Sequence, residues 1–267
     1  MSSQIYTVTG IVLSARAVGE YDKLVTLLTK ERGKFRAFAR GARRPGNPLM
    51  AASNVFAFGE FQIHEGRTSY SITQSVIRNY FAELMQDFEG ACYGQYFLEF
   101  ADYYTRENMD CTDYLGLVYQ SLRALSVPSL PRLLVRYIYE LKALIYSGEC
   151  PQTFEQFNGW NLNPSTLYAL QYVTCSAVEK LYTFTLTDEV LEEFRKDNEA
   201  DIGFIQRLRG KMRNLNQYLP VKYPERFSVM EMSENVSRQR GILWEDAELK
   251  SVSACKIPGK IFSHGNE

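Results

Sequence analysis

The spacing of apolar residues changes near residue 80, and this change constrains the fold more than any other feature of the 267-residue chain. Before that point apolar and polar residues alternate over short stretches, which is the period of a half-buried strand. After it, apolar residues recur three and four positions apart, which is the period of an amphipathic helix. The sequence therefore predicts an α+β, multidomain protein in which a β domain precedes a mostly α-helical domain.

Five short strands are predicted in the first part of the chain, separated by turn residues. A five-stranded sheet of this size protects its edges by closing on itself, so we expect an OB-fold β-barrel over residues 1–79. A hairpin turn centred on Gly66 should join the last two strands. The predicted strands are Ile5–Ser14, Lys23–Thr29, Gly33–Arg40, Val55–His64 and Tyr70–Val76.

Helices are predicted over residues 80–200. The first is one long helix whose apolar stripe runs from Phe81 to Tyr104. The helix with the clearest ends follows Pro131 and stops at Gly148, because proline favours a first helical turn and glycine favours the position after the last. No fold is assigned to residues 201–267, which we expect to be partly disordered. Further helices are predicted from the N-cap Thr112 to Leu125, over Ser165–Tyr182, and over Asp188–Arg195 with Thr187 as the cap.

A basic run lies in the predicted barrel. Between Lys30 and Arg44, seven of fifteen residues are Lys or Arg and one is acidic, although the whole chain carries 30 basic and 31 acidic residues. In the third strand this run alternates, which should place Lys34, Arg36, Phe38 and Arg40 on one face. A cationic face with an aromatic ring attracts phosphates and can stack on an unpaired base. Nucleic-acid binding is one hypothesis, and a solvated basic strand that only keeps the protein in solution is the other.

The sequence offers little for catalysis or metal binding. Its two histidines, His64 and His264, are far apart, and no phosphate-loop, dinucleotide-binding, nucleophile-elbow or zinc-protease motif occurs. The five cysteines include no C-x-x-C pair, which argues against a zinc site. A nuclease would need a carboxylate cluster, and the basic segment supplies only Glu20, Asp22 and Glu31. No apolar run approaches the ~20 residues that span a bilayer, so we expect a cytoplasmic, non-enzymatic protein without cofactor, metal or membrane partner.

Two segments resemble the RecO family of bacterial recombination mediators. Gly10–Arg44 carries the family pattern G-E-x-D at Gly19–Asp22, T-x-E-x-G at Thr29–Gly33 and G-A-R at Gly41–Arg43. The segment Tyr139–Gly148, followed by Pro151, is similar to the family's F-E-L-K-L-L helix and G-x-x-P turn. The resemblance covers about residues 5–195.

The resemblance implies an N-terminal OB-fold, a helical central domain, binding to single- and double-stranded DNA, and annealing of complementary strands. It also implies partnership with RecR and with the C-terminal tail of the single-stranded DNA-binding protein, to help load RecA at the nucleoid. Carried over to this chain, the DNA-binding residues are Lys23, Lys34, Arg36, Phe38, Arg40, Arg43 and Arg44.

The partner site is assigned to cations of the third predicted helix. Arg132, Arg136 and Lys142 lie off its apolar stripe, where they either hold the acidic tail or are ordinary surface charges. The alternative function is a protein-interaction adaptor whose basic face binds an acidic protein instead of DNA. Competition between single-stranded DNA and an acidic peptide would separate the two functions.

The chain departs from the family pattern in two places. Many members have a four-cysteine zinc site just after the G-x-x-P turn, but Thr153–Trp160 contains no cysteine and Cys150 lies within the turn. We therefore predict no zinc, and expect this degenerate region, about residues 149–164, to be held by Phe154, Phe157 and Trp160. Residues 221–267 do not resemble the family's closing helical segment.

Overall fold

The structure is a computed structural model that describes residues 4–148, 164–187 and 190–191. All of these residues belong to one compact unit of the chain, Met1–Leu219. The predictions for the loop at Phe154, Phe157 and Trp160 and for residues 201–267 lie outside the described residues. Within the described ranges, no helix is both long enough and apolar enough to cross a membrane.

Five strands form a closed barrel at the N-terminus, which confirms the predicted fold class. Neighbouring strands are antiparallel except β3 and β5, which are parallel over Ala37–Tyr70, Phe38–Ser71 and Ala39–Ile72. Every strand contributes to an apolar interior, because alternate side chains of a closed sheet point inward. The strands are β1 Gln4–Val18, β2 Asp22–Thr29, β3 Gly33–Ala39, β4 Phe58–Glu65 and β5 Tyr70–Asn79, in the order β1-β2-β3-β5-β4.

The fourth strand begins three residues later than predicted. The preceding segment contains a short helix, α1 Leu49–Ala52, and Phe56 has a positive φ of 73°. Positive φ is strained for a bulky residue, so the chain cannot be extended there. Burial of the Phe56 ring offsets this strain, and the ring lies so close to Gly94 that a Cβ on that glycine would meet it at 3.0 Å.

The helical part contains two helices where the sequence predicts one long helix. The prediction of a continuous helix from residue 80 is wrong, because Asp87 has an extended backbone that separates α2 from α3. The Asp87 carboxylate folds back over Gly90, where a Cβ would meet Oδ2 at 2.5 Å, and pairs with Arg132. The helices are α2 Ala82–Gln86, α3 Phe88–Tyr104, α4 Thr112–Leu125, α5 Arg132–Tyr146 and α6 Pro164–Cys175, followed by a 3-10 turn at Val178–Lys180.

The ends of these helices follow most of the predicted signals. Pro131 precedes α5, and Gly148 follows it with φ of 73°. Thr187 caps the next segment, since its Oγ1 accepts a hydrogen bond from the Val190 amide at 3.4 Å. Thr112 is the first residue of α4 and not its cap, and α6 ends at Cys175 instead of continuing to Tyr182.

The helices pack on the outer surface of β1 and β2. Ile11, Leu13 and Leu28 point out of the barrel into the same core as Phe97 and Tyr139, whose rings stack with centroids 4.1 Å apart. Burial of this apolar surface fixes the helical body against the barrel. The outer surface of β3, beside β2, remains open for most of its length.

Candidate nucleic-acid interface

The outward side chains of β3 and the residue that follows it form one exposed face, here called the β3 face (Lys34, Arg36, Phe38 and Arg40). The predicted alternation is confirmed, because Phe35, Ala37 and Ala39 are buried while Arg36 and Arg40 are exposed. Among the described residues, no side-chain partner is found for Arg36 or Arg40. Both guanidinium groups can therefore reach a phosphate without first breaking an ion pair.

A row of side chains crosses the outside of the barrel at Phe38. In the strand register Arg16 of β1 is opposite Leu24 of β2, Leu24 is opposite Phe38, and Phe38 is opposite Ser71 of β5. Arg16 is exposed, so a cation lies on the same face as the half-buried ring. The sequence analysis missed Arg16 because it ended the first strand at Ser14. Continued alternation past that residue was the signal that could have found it.

A groove of about 670 Å³ runs along the β3 face. Arg36 and Phe38 line one side of it, and the turn between β4 and β5 lines another and contributes the exposed Arg67. Sequence reasoning missed Arg67 as well, because a single cation in a hairpin turn carries no pattern. The register of β4 and β5 places this turn beside β3 only once the barrel closes.

Lys34 joins the barrel to the helical body. Its Nζ lies 3.0 Å from Asp102 Oδ1 in the last turn of α3, and it also donates to the Asp102 carbonyl oxygen. The Lys34 amide donates to the Arg106 carbonyl at 2.9 Å. Gly33 allows this approach, since it has φ of 65° and a Cβ there would lie 2.3 Å from the Arg106 oxygen. Lys34 is thus already paired with an acid.

Contacts between the two N-terminal family motifs shape the loop that follows β3, here called the basic loop (Arg40–Arg44). Asp22 Oδ1 accepts a hydrogen bond from the Gly41 amide at 2.7 Å. Arg43 Nη1 donates to the carbonyl oxygens of Gly19 and Glu20, at 3.2 and 3.0 Å. The G-E-x-D and G-A-R motifs therefore hold each other in place, and one side of the Arg43 guanidinium is used for this.

Lys23 and Arg44 also have partners within the fold. Lys23 Nζ donates to Asn54 Oδ1 at 2.8 Å and to the Met50 carbonyl at 3.3 Å. Burial lowers the pKa of the Lys23 ammonium, and the positive charge of Arg43 adds to this. The Arg44 guanidinium lies 4.4 Å from the centroid of the Tyr21 ring, which leaves its edge and other face open.

Three carboxylates lie at the Lys34 end of the groove, here called the acidic end (Glu65, Asp102 and Glu107). Glu65 pairs with Arg32 at 3.3 Å, and Glu107 accepts a hydrogen bond from the Tyr70 hydroxyl at 2.7 Å. The positive surface is therefore limited to the part of the groove beyond Lys34, towards Arg16 and the basic loop.

The three predicted partner-site cations are all engaged within the helical body. Arg132 pairs with Asp87 and Glu89. Arg136 Nε donates to Glu140 Oε1 at 2.8 Å, and Lys142 Nζ donates to the carbonyls of Val173, Thr174 and Ser176 at 2.9 to 3.0 Å. Lys142 therefore caps the C-terminus of α6, which explains why that helix stops early.

The interpretation of these cations as ordinary surface charges is wrong for two of them. Arg136 is 9% exposed and Lys142 is 4% exposed. Every residue from Leu134 to Ile145 is buried, because α3, α4 and α6 cover the faces of α5 that its apolar stripe leaves. The pattern of one helix does not reveal this, since it cannot count the helices that pack around it.

Within the described residues, no group of three or more His, Cys, Asp or Glu side chains is placed to hold a metal ion. Cys92 and Cys111 are buried free thiols, and Cys175 is exposed. Burial raises the pKa of the Cys111 thiol to about 11, so it is unreactive at neutral pH.

Comparison with known proteins covers both parts of the described structure. The family model described as Recombination protein O N terminal matches residues 1–81, and the one described as Recombination protein O C terminal matches residues 85–159. The DNA repair protein RecO of Acetivibrio thermocellus is 24% identical over 216 residues, covering 70% of this chain and 86% of that protein. The DNA repair protein RecO of Clostridium perfringens is 23% identical over 241 residues, covering 79% and 96%. That of Desulforamulus reducens is 32% identical over 148 residues, covering 55% and 57%. With both family models matched in order along the chain, the protein belongs to the RecO family of DNA repair proteins.

Proposed function

We propose that this protein binds single- and double-stranded DNA through the β3 face, Arg16 and the basic loop. The observation that carries the proposal is the exposure of Arg36 and Arg40 on either side of the half-buried Phe38. Unpaired cations neutralise phosphates, and an aromatic ring between them can stack on a base. Such contacts do not select a sequence, so we expect binding to depend on salt and little on base composition.

We further propose that the protein anneals complementary strands and, with RecR, helps load RecA onto DNA coated by single-stranded DNA-binding protein. Its membership of a DNA repair family supports this role. Annealing requires that two phosphate backbones be neutralised while the base edges stay free, which backbone contacts allow. The proposed role breaks no covalent bond and is non-enzymatic, so labelled DNA should stay intact with magnesium or manganese. We place this activity at the nucleoid, in the cytoplasm.

The partner sites and the division of the chain into domains are also proposals. The acidic tail of the single-stranded DNA-binding protein would have to compete with ion pairs that already exist at Arg132, Arg136 and Lys142. Arg132 is the most accessible of the predicted pairings, with 33% of its side chain exposed. We propose that residues 1–79 and 80–200 act as the DNA-binding and helical domains, with residues 201–267 as a third segment.

The test is single-stranded DNA binding measured by fluorescence anisotropy over a range of salt concentrations. Changing Arg36 and Arg40 together to Ala should weaken binding and lower the slope of log K against log salt by about 1.4, at about 0.7 per phosphate contact. The matched control changes Arg78 and Arg123 to Ala, because Arg78 pairs with Glu60 and Arg123 is exposed on α4. Equal effects of both pairs would contradict the proposed site. Absence of DNA binding by the native chain would favour the adaptor function, tested with an acidic peptide.

A further inference from the structure

The position of Asp102 decides how many cations the groove can offer to DNA. Asp102 belongs to the last turn of α3, and both its carboxylate and its carbonyl oxygen contact Lys34 Nζ. Only 19% of the Lys34 side chain is exposed. A phosphate that reached Lys34 would have to break the ion pair and displace the ammonium from the C-terminus of a helix, where positive charge is favoured.

The surroundings of this pair disfavour phosphate further. Glu65 and Glu107 lie at the same end of the groove, and each is fixed by its own partner, Arg32 and the Tyr70 hydroxyl respectively. The Debye length is about 10 Å at 0.1 M salt, so phosphates entering this end of the groove would be repelled by carboxylates at close range. By contrast, the other end opens onto exposed Arg16 and Arg40.

We infer that Asp102 holds Lys34 out of the set of phosphate-binding cations and thereby ends the DNA path at Arg36. The strand leaves the groove across the row of Arg16 and Phe38 towards the basic loop, away from the helical body. Lys34 is then a strut of the fold and not a DNA contact, and Asp102 limits the affinity for DNA. This inference rests on the proposed function of the β3 face.

The first experiment removes the acid while keeping its shape. Asp102→Asn should free Lys34 for one phosphate contact and increase the slope of log K against log salt by about 0.7. The gain in affinity over the native chain should therefore shrink about 2.6-fold between about 50 and about 200 mM salt. The control is Glu83→Gln, which changes the net charge equally at an exposed position of α2 that does not line the groove.

The second experiment removes Lys34. Lys34→Ala in the native chain should leave the salt slope unchanged, while the same change combined with Asp102→Asn should return the enlarged slope to the native value. The inference is overturned if Asp102→Asn behaves like Glu83→Gln, or if Lys34→Ala alone lowers the slope by about 0.7. The second outcome does not depend on how well the Asn variant folds. Failure of the proposed function is distinguishable, because the native chain would then show no salt-dependent binding to DNA at all.

Discussion

The buried ion pair of α5 gives the sharpest prediction for stability. Glu140 is fully buried, and its Oε1 accepts hydrogen bonds from Arg136 Nε at 2.8 Å and from the Tyr96 hydroxyl. The Arg136 guanidinium lies 5.5 Å from the Tyr96 ring centroid and 5.9 Å from that of Tyr137. Burial alone lowers the pKa of Arg136, but the Glu140 charge more than offsets this and the net direction is upward. Arg136 therefore stays charged, and it depends on one carboxylate for compensation.

Removing that carboxylate should be costly. Glu140→Gln keeps an oxygen for both hydrogen bonds but leaves a buried, uncompensated cation, so the free energy of unfolding should fall by about 3 kcal/mol. Glu140→Met also loses the hydrogen bonds and should cost about 5 kcal/mol. Replacing both partners, as Arg136→Met with Glu140→Met, removes the unpaired charge and should recover most of the loss.

Urea unfolding of the four proteins measures these differences, with circular dichroism as the signal. The midpoint should shift at constant m-value if the native and unfolded states keep their compactness. A loss below about 1 kcal/mol for Glu140→Gln, or a double variant no more stable than Glu140→Met, would refute the reasoning, since a buried pair is defined by that asymmetry. DNA binding of the folded variants should be unchanged, because neither residue lines the groove.

Two further predictions concern the backbone and the response to pH. Gly33→Ala should lower the free energy of unfolding by at least about 3 kcal/mol, because left-handed strain adds to a clash with the Arg106 carbonyl, and by much more than Gly46→Ala, which has φ of 77° and open space around it. Equal losses in denaturant titrations would contradict this account. Burial raises the pKa of Tyr6, Tyr93 and Tyr146 from 10.0 to about 12, so the folded chain binds more protons than the unfolded chain between these values. The free energy of unfolding should therefore fall as the pH rises from about 10 to about 12, and a flat profile in that window would count against the burial of these phenols.

The barrel and the cationic face could be predicted because a period of two fixes both which residues form strands and which side they occupy. Arg36 and Phe38 were found in this way. The break at Asp87 was missed since the apolar stripe continues on both sides of it. Roles that depend on tertiary neighbours were also missed: Lys34 meets an acid 68 residues away, and Lys142 meets carbonyls more than 30 residues away. Side-chain type alone predicts exposure for such cations, and only packing shows that they are used within the fold.

The hydrogen bond between Asp22 and Gly41 has a consequence for how this surface can be altered. The atoms that shape the basic loop are supplied 19 residues upstream, by the turn between β1 and β2. The loop is therefore ordered before any ligand arrives, and binding need not restrict its backbone again, which removes one entropic cost of association. It follows that the loop cannot be transplanted to another barrel by itself. A graft would have to include both strands of the hairpin that precedes it, with the carboxylate and the Gly19 and Glu20 carbonyls in register.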